Sequence, residues 1–432
     1  MSASKPSSIQ RRRFLSVVSG GAASLALAGC GDSTSQQPTP DSARPDAGAD
    51  GPAPSEAGTD GLIDGGKPAC DDPFAGGSKV SDVAFLDGGI PFDRKLSSGL
   101  DGRLYTDLRT LDFGAQSIDN DSFYIRTHEP DQIDKARTAQ SWKVQIAGLV
   151  ASSQPAEVAV ADWLPMEVDQ GQHLLECSGN GPGGAFGLMS ACGMHGIPVE
   201  DVFDKLAVDS NATRVVVRGF DGHSQPSANN HSTPGASWNF SIAEMIARKA
   251  FFATKMNGQT LPRDHGFPLR LFMPRWYGCT CIKWVDQLEF VDDSSPPTGQ
   301  MIEFASRTHQ TGKPPLAKDW RPASQDQAAM PVRVEKWRLA DGSIAYKVLG
   351  IMWGGDKPTD KLAIRFNAGE TFAPVDVCPE QTTNQTWTLW LHMWKPQQTG
   401  KHTIRLGIND SSVAQIRLDL GWYDRDVSID EV

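Results

Sequence analysis

The chain has 432 residues, 12 tryptophans and a net charge of −11. This length is enough for two or three domains with hydrophobic cores of their own. The acidic balance argues against a nucleic-acid partner, because proteins that bind nucleic acids present clustered positive charge to the phosphates.

The first 30 residues have the pattern of an export signal. Residues 11–13 are arginines, followed by Phe-Leu and by an apolar stretch of small residues that ends in Leu-Ala-Gly-Cys at residues 27–30. Twin arginines before such a stretch favour the twin-arginine export route, and the last four residues resemble a bacterial lipobox. We therefore predict cleavage before Cys30, a lipid on its sulfur, and a place in the periplasm or cell envelope. An ordinary secretory signal or a short membrane anchor is the alternative.

Export by this route would have consequences for charge and cofactor. Cleavage before Cys30 removes four basic residues and no acidic one, which leaves 37 basic against 52 acidic residues and a net charge of −15. An acidic surface suits a basic electron-carrying cytochrome, although the same charge also serves solubility. The route carries folded proteins, often ones already loaded with a complex cofactor, so the signal favours a redox cofactor. The mature chain is expected to touch the membrane through its lipid only.

Residues 31–79 consist mainly of small and polar residues, with few large apolar side chains. Such a segment cannot bury enough surface to fold, so we predict a flexible linker. The seven cysteines (residues 30, 70, 177, 192, 279, 281 and 378) include neither the Cys-x-x-Cys-His motif of covalent haem nor the paired Cys-x-x-Cys spacing of structural zinc. Cys70 and Cys378 could pair in an oxidising compartment, but the sequence gives no geometry for them.

Residues 80–295 have the pattern of a mixed domain. Strands are predicted at 142–150, 173–177, 213–218, 268–273 and 281–291, and helices at 199–208 and 241–256. Ser241 and Glu244 form a capping box for the second helix. Because helices are few and strands irregular, we expect an α+β fold rather than a doubly wound sheet. A nucleotide-binding fold has no support, since neither a P-loop nor a Gly-x-Gly-x-x-Gly turn opens a helix.

The C-terminal quarter is predicted to be all strand. Residues 296–324 are polar and contain prolines, which indicates a connector. Beyond them, residues 325–432 alternate with period two at 332–334, 337–339, 344–351, 386–394 and 402–408, with a turn at Asp341-Gly342. Short strands at this spacing predict a β-sandwich of about a hundred residues.

A cysteine before a glycine-rich loop is the first candidate site. The apolar run at 173–175 ends on Cys177, and five glycines follow within residues 179–187. Backbone N–H groups in such a loop can close around an anionic ligand, and a cysteine at the strand end is a candidate thiolate ligand for a soft metal. A buried cysteine that only packs as a small hydrophobe is the alternative.

Three other segments join Cys177 in a family pattern. Residues 176–180 read Glu-Cys-Ser-Gly-Asn, 263–270 read Arg-Asp-His-Gly-Phe-Pro-Leu-Arg, 282–284 read Ile-Lys-Trp, and 124–128 read Tyr-Ile-Arg-Thr-His. Over residues 85–432 the chain resembles the sulfite oxidase family of molybdopterin enzymes. The resemblance implies a molybdopterin-binding domain at 80–295 and an immunoglobulin-like dimerisation domain at 325–432, hence a homodimer.

The resemblance also implies a cofactor and its residues. Cys177 would be the thiolate ligand of one molybdenum held by molybdopterin, with Arg126, Tyr277 and His309 as further catalytic residues. The implied cofactor-binding residues are Tyr124, Ile125, Arg126, Thr127, His128, Asp221, His265, Arg270, Cys281, Ile282 and Lys283. Cationic Arg270 and Lys283 suit the cofactor phosphate. Alternatives are a backbone-satisfied loop histidine for His265, an outward-facing edge residue for Arg270, and simple packing for Cys192 and Cys279.

The implied activity is oxygen-atom transfer to sulfite or a similar sulfur oxyanion, with electrons passed to a cytochrome. Three positions depart from the family pattern, since Pro182 and Leu420 stand where relatives carry arginine and His309 where they carry tyrosine. The loss of two positive charges should weaken anion binding, and a protonated His309 could restore one. A reductase of S-oxides such as methionine sulfoxide is one alternative, although such relatives generally lack the dimerisation domain. A non-catalytic member of the fold is the other.

Overall fold

The computed structural model describes residues 72–87, 92, 94–97, 102–113, 117–223, 236–376 and 383–432. The predicted export signal and most of the linker, with Cys30, Cys70 and Cys378, lie outside these residues. Within the described ranges no helix is both long and apolar enough to cross a membrane. The chain from Lys67 to Val432 forms one compact unit.

Strands dominate the regular structure, as the α+β prediction expects. They are β1 (Ser78–Val83), β2 (Lys143–Gly148), β3 (Glu157–Ala159), β4 (Val168–Glu176), β5 (Met189–Pro198), β6 (Arg214–Gly219), β7 (Ser237–Ser241), β8 (Phe251–Met256), β9 (Gln259–Thr260), β10 (Arg270–Phe272), β11 (Val285–Val291), β12 (Ala328–Arg338), β13 (Ile344–Trp353), β14 (Leu362–Arg365), β15 (Ala373–Pro374), β16 (Thr388–Trp394), β17 (Gly400–Ile408) and β18 (Arg425–Ile429). The α-helices are short: α1 (Val199–Lys205), α2 (Ile242–Ala247), α3 (Gly299–Phe304) and α4 (Ile416–Asp419).

Two five-stranded sheets carry the first part of the fold. One has the order β10-β8-β5-β4 with β9 added to β8, and the other has the order β3-β2-β11-β6-β7. All pairs in them are antiparallel except β2 with β11. Strand β4 is exposed over its first half and buried from His173 to Glu176, so it leads directly into the interior where Cys177 follows.

Two four-stranded antiparallel sheets form the last part. Their orders are β1-β12-β13-β16 and β15-β14-β17-β18. Strand β1 comes from the start of the described chain, yet it pairs with β12 from Ser78 opposite Arg338 to Val83 opposite Val334. Paired four-stranded sheets agree with the strands predicted from period-two alternation. The immunoglobulin-like character and the domain boundaries stay predictions.

The predicted helix at 241–256 is wrong in its second half. Helix α2 does begin after Ser241, whose side chain accepts from the N–H of Glu244 as the capping box requires. It ends at Ala247, and Lys249 at φ 55° turns the chain into strand β8. Residues 251–256 read Phe-Phe-Ala-Thr-Lys-Met, and aromatic residues favour strands. Their backbone groups pair with β5 on one side and β10 on the other. Sheet pairing overrides the helical periodicity there.

The predicted strand at 281–291 starts later, at Val285. Before it, Gly278–Thr280 form a single 3₁₀ turn that Cys281 closes by donating its N–H to the Gly278 carbonyl at 3.1 Å. Cys279 and Cys281 are therefore turn residues, and the strand alternation that would place them on one face does not apply. The turn places Gly278 next to Cys177, because a Cβ on Gly278 would lie 3.6 Å from the Cα of Cys177.

One hydrophobic core runs through the described chain from Tyr105 to Ile429. It includes fully buried tryptophans from both halves, such as Trp163 and Trp284 in the first and Trp353 and Trp390 in the second. The first and second halves therefore share buried surface.

Candidate functional site

Cys177 lies at the end of β4 with only 8% of its surface exposed. Its N–H donates to the Leu188 carbonyl at 3.0 Å, and its carbonyl accepts from the N–H of Asn180 at 2.9 Å. The buried Asn180 side chain accepts from the N–H of Leu188 at 3.1 Å, which closes the base of the glycine-rich loop. The thiol is held at a fixed place by backbone bonds on both sides.

Cys177 lines a cavity of about 650 Å³ whose charge is strongly positive. Four arginines line the same cavity: Arg103, Arg126, Arg307 and Arg417. His309 lines it as well, and none of the described lining residues is acidic. Arginine stays protonated in proteins, so the cavity is cationic at any working pH. It is built to receive an anion.

Pro182 and Leu420, which stand where relatives carry arginine, lower the positive charge of the cavity less than the sequence analysis expects. Pro182 does not line the cavity, and Leu420 lies at its mouth with 76% of its surface exposed. Arg417, three residues before Leu420 on helix α4, supplies a guanidinium to the cavity instead. Arg307 adds another, from the segment that also carries His309.

A buried network fixes Arg417. Its guanidinium donates to the Ser178 carbonyl at 3.0 Å and to the Arg307 carbonyl at 3.1 Å, and it lies 3.5 Å from Glu176. The Glu176 carboxylate also accepts from the Tyr423 hydroxyl and the Trp353 indole, each at 2.9 Å. Burial raises the pKa of Glu176, and the charge of Arg417 opposes this. Glu176 thus holds Arg417 and Tyr423 in place beside the candidate ligand Cys177.

His309 faces the cavity and Tyr277 stands behind it. His309 Nε2 lies 2.9 Å from the Asp326 carboxylate and 3.2 Å from the Tyr277 hydroxyl. Tyr277 does not line the cavity, and the Arg417 guanidinium stacks 4.4 Å above its ring. Burial raises the pKa of Tyr277 well above its ordinary value, so its phenol stays protonated. Its catalytic assignment stays a prediction, and its position is that of a partner to His309.

A second group gathers the predicted phosphate-binding residues. Arg270, on β10, is buried, and its guanidinium donates to the His265 carbonyl at 3.4 Å. Burial and the nearby charges of Arg270 and Lys283 lower the pKa of His265 to about 3, so its imidazole is neutral. The same factors, burial first and then the Arg270 charge, lower the pKa of Lys283. Two cations are packed together in the interior here.

Lys283 joins this group to the segment at 124–128. Its ammonium donates to the carbonyls of Thr127 and of Asp264, the latter at 2.7 Å. His128 Nδ1 lies 3.4 Å from the Asp264 carboxylate. Asp221 interacts with Lys283 through its charge, and burial raises the pKa of Asp221. These predicted residues therefore do come together around Lys283.

The remaining predicted residues connect the two groups. Tyr124 approaches Gly278 so closely that a Cβ there would lie 2.8 Å from its hydroxyl and 3.6 Å from the Cα of Cys177. Ile125 pairs its backbone with Leu104. Cys281 accepts from the N–H of Met273 on its sulfur at 3.4 Å, and the Ile282 carbonyl accepts from Leu271. Burial raises the pKa of the Cys281 thiol, which fits a structural role for its side chain.

Sequence reasoning missed several residues of the cavity. Arg103 and Trp422 carried no motif, and they come from distant parts of the chain. Arg307 stands two residues before His309, and the sequence analysis singled out only His309. Arg417 could have been found by allowing the C-terminal alignment to shift by one helical turn from Leu420. Asp326 had no sequence signal.

The family model for the oxidoreductase molybdopterin binding domain matches residues 128–298. Residues 128–298 are therefore an oxidoreductase molybdopterin-binding domain, and the chain is similar to enzymes of the sulfite oxidase family. Similar proteins include a nitrate reductase [NADH] of Ulva prolifera, 25% identical over 293 residues, and the sulfite oxidase of Arabidopsis thaliana, 28% identical over 192 residues. The alignments span 60% and 40% of this chain, and 33% and 48% of those relatives.

Two further comparisons extend the likeness. The mitochondrial sulfite oxidase of Mus musculus is 24% identical over 152 residues, which are 33% of this chain and 27% of that protein. The crystal structure of the sulfane dehydrogenase SoxCD from Paracoccus pantotrophus superposes with a TM-score of 0.57 at 16% identity, covering 77% of this oxidoreductase and 85% of that chain. The structural likeness shows a shared fold.

The residues of this oxidoreductase fit a molybdenum cofactor. Within the described ranges no three His, Cys, Asp or Glu side chains cluster as a metal site, whereas Cys177 offers a single sulfur beside a cavity. One protein thiolate is what a metal already held by two dithiolene sulfurs requires. Arg270 Nε is buried and has no hydrogen-bond partner among the described residues, so it can donate to an added anion such as the cofactor phosphate.

Proposed function

We propose that this oxidoreductase oxidises sulfite or a similar sulfur oxyanion and passes the electrons to a cytochrome. The single observation that best supports the proposal is the cavity beside Cys177, with its four arginines and, among the described residues, no acidic lining residue. A cationic, partly enclosed cavity raises the local concentration of an anion and orients it. A neutral S-oxide would gain little from these charges.

Each side chain has a role in this proposal. Arg126 and Arg307 would hold the substrate oxygens, since guanidinium groups donate charge-assisted hydrogen bonds to oxyanions. Cys177 would hold the metal, and Arg270 and Lys283 the cofactor phosphate. When bound, the molybdenum cofactor supplies oxygen-atom transfer coupled to a two-electron change. Glu176 and Tyr423 would hold the Arg417 side chain in the wall of the cavity.

The test is sulfite-dependent reduction of ferricyanide by the purified, molybdenum-loaded protein. We expect rapid turnover that saturates at low sulfite, and loss of turnover in Cys177→Ser. A protein that contains molybdenum but does not turn over sulfite would contradict the proposal.

The same purified protein can be assayed for two other activities. Nitrate, named for the Ulva prolifera relative, is also an anion, and nitrate-dependent oxidation of a reduced viologen would identify it as the substrate. Reduction of methionine sulfoxide would support the S-oxide alternative. A protein that never binds molybdenum would support the non-catalytic alternative.

We also propose that the protein is exported by the twin-arginine route and held in the cell envelope by a lipid on Cys30. The arginines at 11–13 and the Leu-Ala-Gly-Cys motif support this. Mass spectrometry of the N-terminal peptide of the mature protein tests it. An acylated Cys30 is expected, and an unmodified N-terminus elsewhere would contradict it. The homodimer stays a proposal that light scattering can decide.

A further inference from the structure

His309 lies in the wall between two cavities. It lines the cationic cavity of about 650 Å³ beside Cys177, and it also lines a second cavity of about 350 Å³. Asp326 lines the second cavity and not the first. Lys357, whose side chain is 56% exposed, is at the border of the second cavity, so this cavity reaches the protein surface. An imidazole therefore stands between the candidate reaction site and a route to solvent.

Asp326 fixes the proton on the imidazole. Burial alone would raise the pKa of Asp326, but its hydrogen bonds with His309 and with the backbone N–H of Arg417 outweigh burial and lower that pKa. The carboxylate is then an acceptor, so His309 Nε2, at 2.9 Å, carries the hydrogen. The Tyr277 hydroxyl can donate to the same carboxylate at 3.4 Å. The other ring nitrogen, Nδ1, makes no hydrogen bond to any described residue and is left to accept.

The charged groups around His309 come from several elements. Arg417 on α4 donates its backbone N–H to the second oxygen of Asp326 at 3.2 Å, which holds the carboxylate in place. Arg321, after α3, donates to the His309 carbonyl at 3.5 Å. Tyr277 packs from the segment before the 3₁₀ turn. Arg307, two residues before His309, adds its charge on the cavity side. Among these groups, the imidazole is the one that offers both a donor nitrogen and an acceptor nitrogen.

We propose that His309 and Asp326 form a proton relay from the Cys177 cavity to the second cavity. The relay rests on the proposed function, in which sulfite and water give sulfate, two protons and two electrons. The electrons go to the cytochrome. Inside the cavity the arginines cannot accept these protons and the described lining has no carboxylate, so the His309 imidazole is the acceptor the protein offers. His309 accepts a proton at Nδ1 and passes the one on Nε2 to Asp326, which gives it to water in the second cavity. Exchange with water then restores the starting tautomer.

The first test reads the tautomer and needs no turnover. Protein with nitrogen-15 in its nine histidines is compared with His309→Gln, which identifies the His309 signals. We expect a hydrogen on Nε2 and a bare Nδ1 at neutral pH, and a change in this state in Asp326→Asn. A hydrogen on Nδ1 with a bare Nε2 would overturn the relay, whatever the substrate is.

The second test is kinetic. His309→Gln should lower kcat by roughly ten-fold or more in weak buffer while leaving KM within about two-fold, because it removes a proton carrier and no anion ligand. Added imidazole should restore much of the rate, which a merely structural role would not allow. Asp326→Asn should lower kcat in the same direction. The matched control is His392→Gln, which removes a histidine that lies 3.9 Å from Asp376 in the C-terminal sheets.

The outcomes separate the two proposals. An unchanged kcat in His309→Gln, or a loss that imidazole does not restore, would overturn the relay while sulfite turnover by the wild type still supports the proposed function. If the molybdenum-loaded wild type does not oxidise sulfite, the proposed function fails. The tautomer then decides the relay alone.

Discussion

Arg307 offers the cleanest test of anion binding by a single residue. It is exposed and lines the Cys177 cavity, so its removal should not disturb the core. Arg307→Gln is expected to raise the KM for sulfite about ten-fold with kcat nearly kept, since one charge-assisted hydrogen bond is worth roughly 1.5–3 kcal/mol. Steady-state kinetics measures this. Arg338→Gln, an exposed arginine outside the cavity, is the control, and equal KM values for the two variants would contradict the role.

Asp264 should make stability depend on pH. Burial would raise the pKa of its carboxyl, but hydrogen bonds from Lys95 and from the N–H of Glu129 outweigh it and hold the pKa well below its usual value. A carboxyl with a lowered folded-state pKa stabilises the fold above its unfolded pKa of about 3.9, and this contribution is lost as pH falls toward the folded value. Asp264→Asn should thus be less stable than the wild type at neutral pH, and the difference should shrink below about pH 4.

Urea unfolding at several pH values measures the effect of Asp264→Asn. Asp131→Asn, on an exposed residue of the neighbouring segment, should match the wild type throughout. A stability difference for Asp264→Asn that stays constant down to strongly acidic pH would show that the carboxylate charge is not what stabilises this contact.

Single residues also show where the sequence was sufficient. Cys177, Arg126 and His309 could be placed near one another because motifs carry them, and the structure puts all three on one cavity. Arg103 and Arg417 could not, since their guanidinium groups reach the cavity from elements that only tertiary packing brings there. The charge in a cavity depends on the positions of the charged side-chain groups. A match to a sequence motif does not give these positions.

At the scale of an element, the 3₁₀ turn at Gly278–Thr280 requires glycine at its first position, because a side chain there would be too close to its neighbours. A Cβ on Gly278 would lie 2.8 Å from the Tyr124 hydroxyl and 3.2 Å from the Glu176 carbonyl. Gly278→Ala should therefore destabilise the protein by about 1–3 kcal/mol, as overpacking of a close contact does, and should lower its molybdenum content. Urea unfolding and metal analysis check this.

Gly183 provides the matched control for that element. It lines the same cavity, and a Cβ there would meet no heavy atom of the described residues within 4 Å. Gly183→Ala should keep wild-type stability and molybdenum content. If Gly278→Ala behaves like Gly183→Ala, the turn tolerates a side chain and the close approach to Tyr124 is not needed.

Elements also show the limit of periodicity. The capping box at Ser241 located the start of α2 correctly, because a cap is a local interaction. The end of α2 could not be predicted, because residues 251–256 pair in a sheet with β5 and β10. Strand β5 ends 53 positions before this segment and β10 begins 14 positions after it. Apolar spacing alone does not distinguish a buried strand from a buried helix.

For the whole molecule, the shared core predicts a single unfolding event. The large cluster of buried side chains runs from Tyr105 to Ile429, and the Trp353 indole donates to Glu176 across the predicted boundary at 296–324. Calorimetry of the purified protein should therefore show one cooperative transition. Two separate transitions, one of them assignable to residues 325–432, would mean that the two predicted domains fold independently.

X-ray absorption at the molybdenum edge tests the central claim, that Cys177 holds the metal at the cationic cavity, most directly. The wild type and Cys177→Ser would be compared after loading, with Cys279→Ser as a control because Cys279 is a nearby cysteine that does not line the cavity. The account predicts one sulfur neighbour fewer around molybdenum in Cys177→Ser and no change in Cys279→Ser. An unchanged sulfur shell in Cys177→Ser would contradict it.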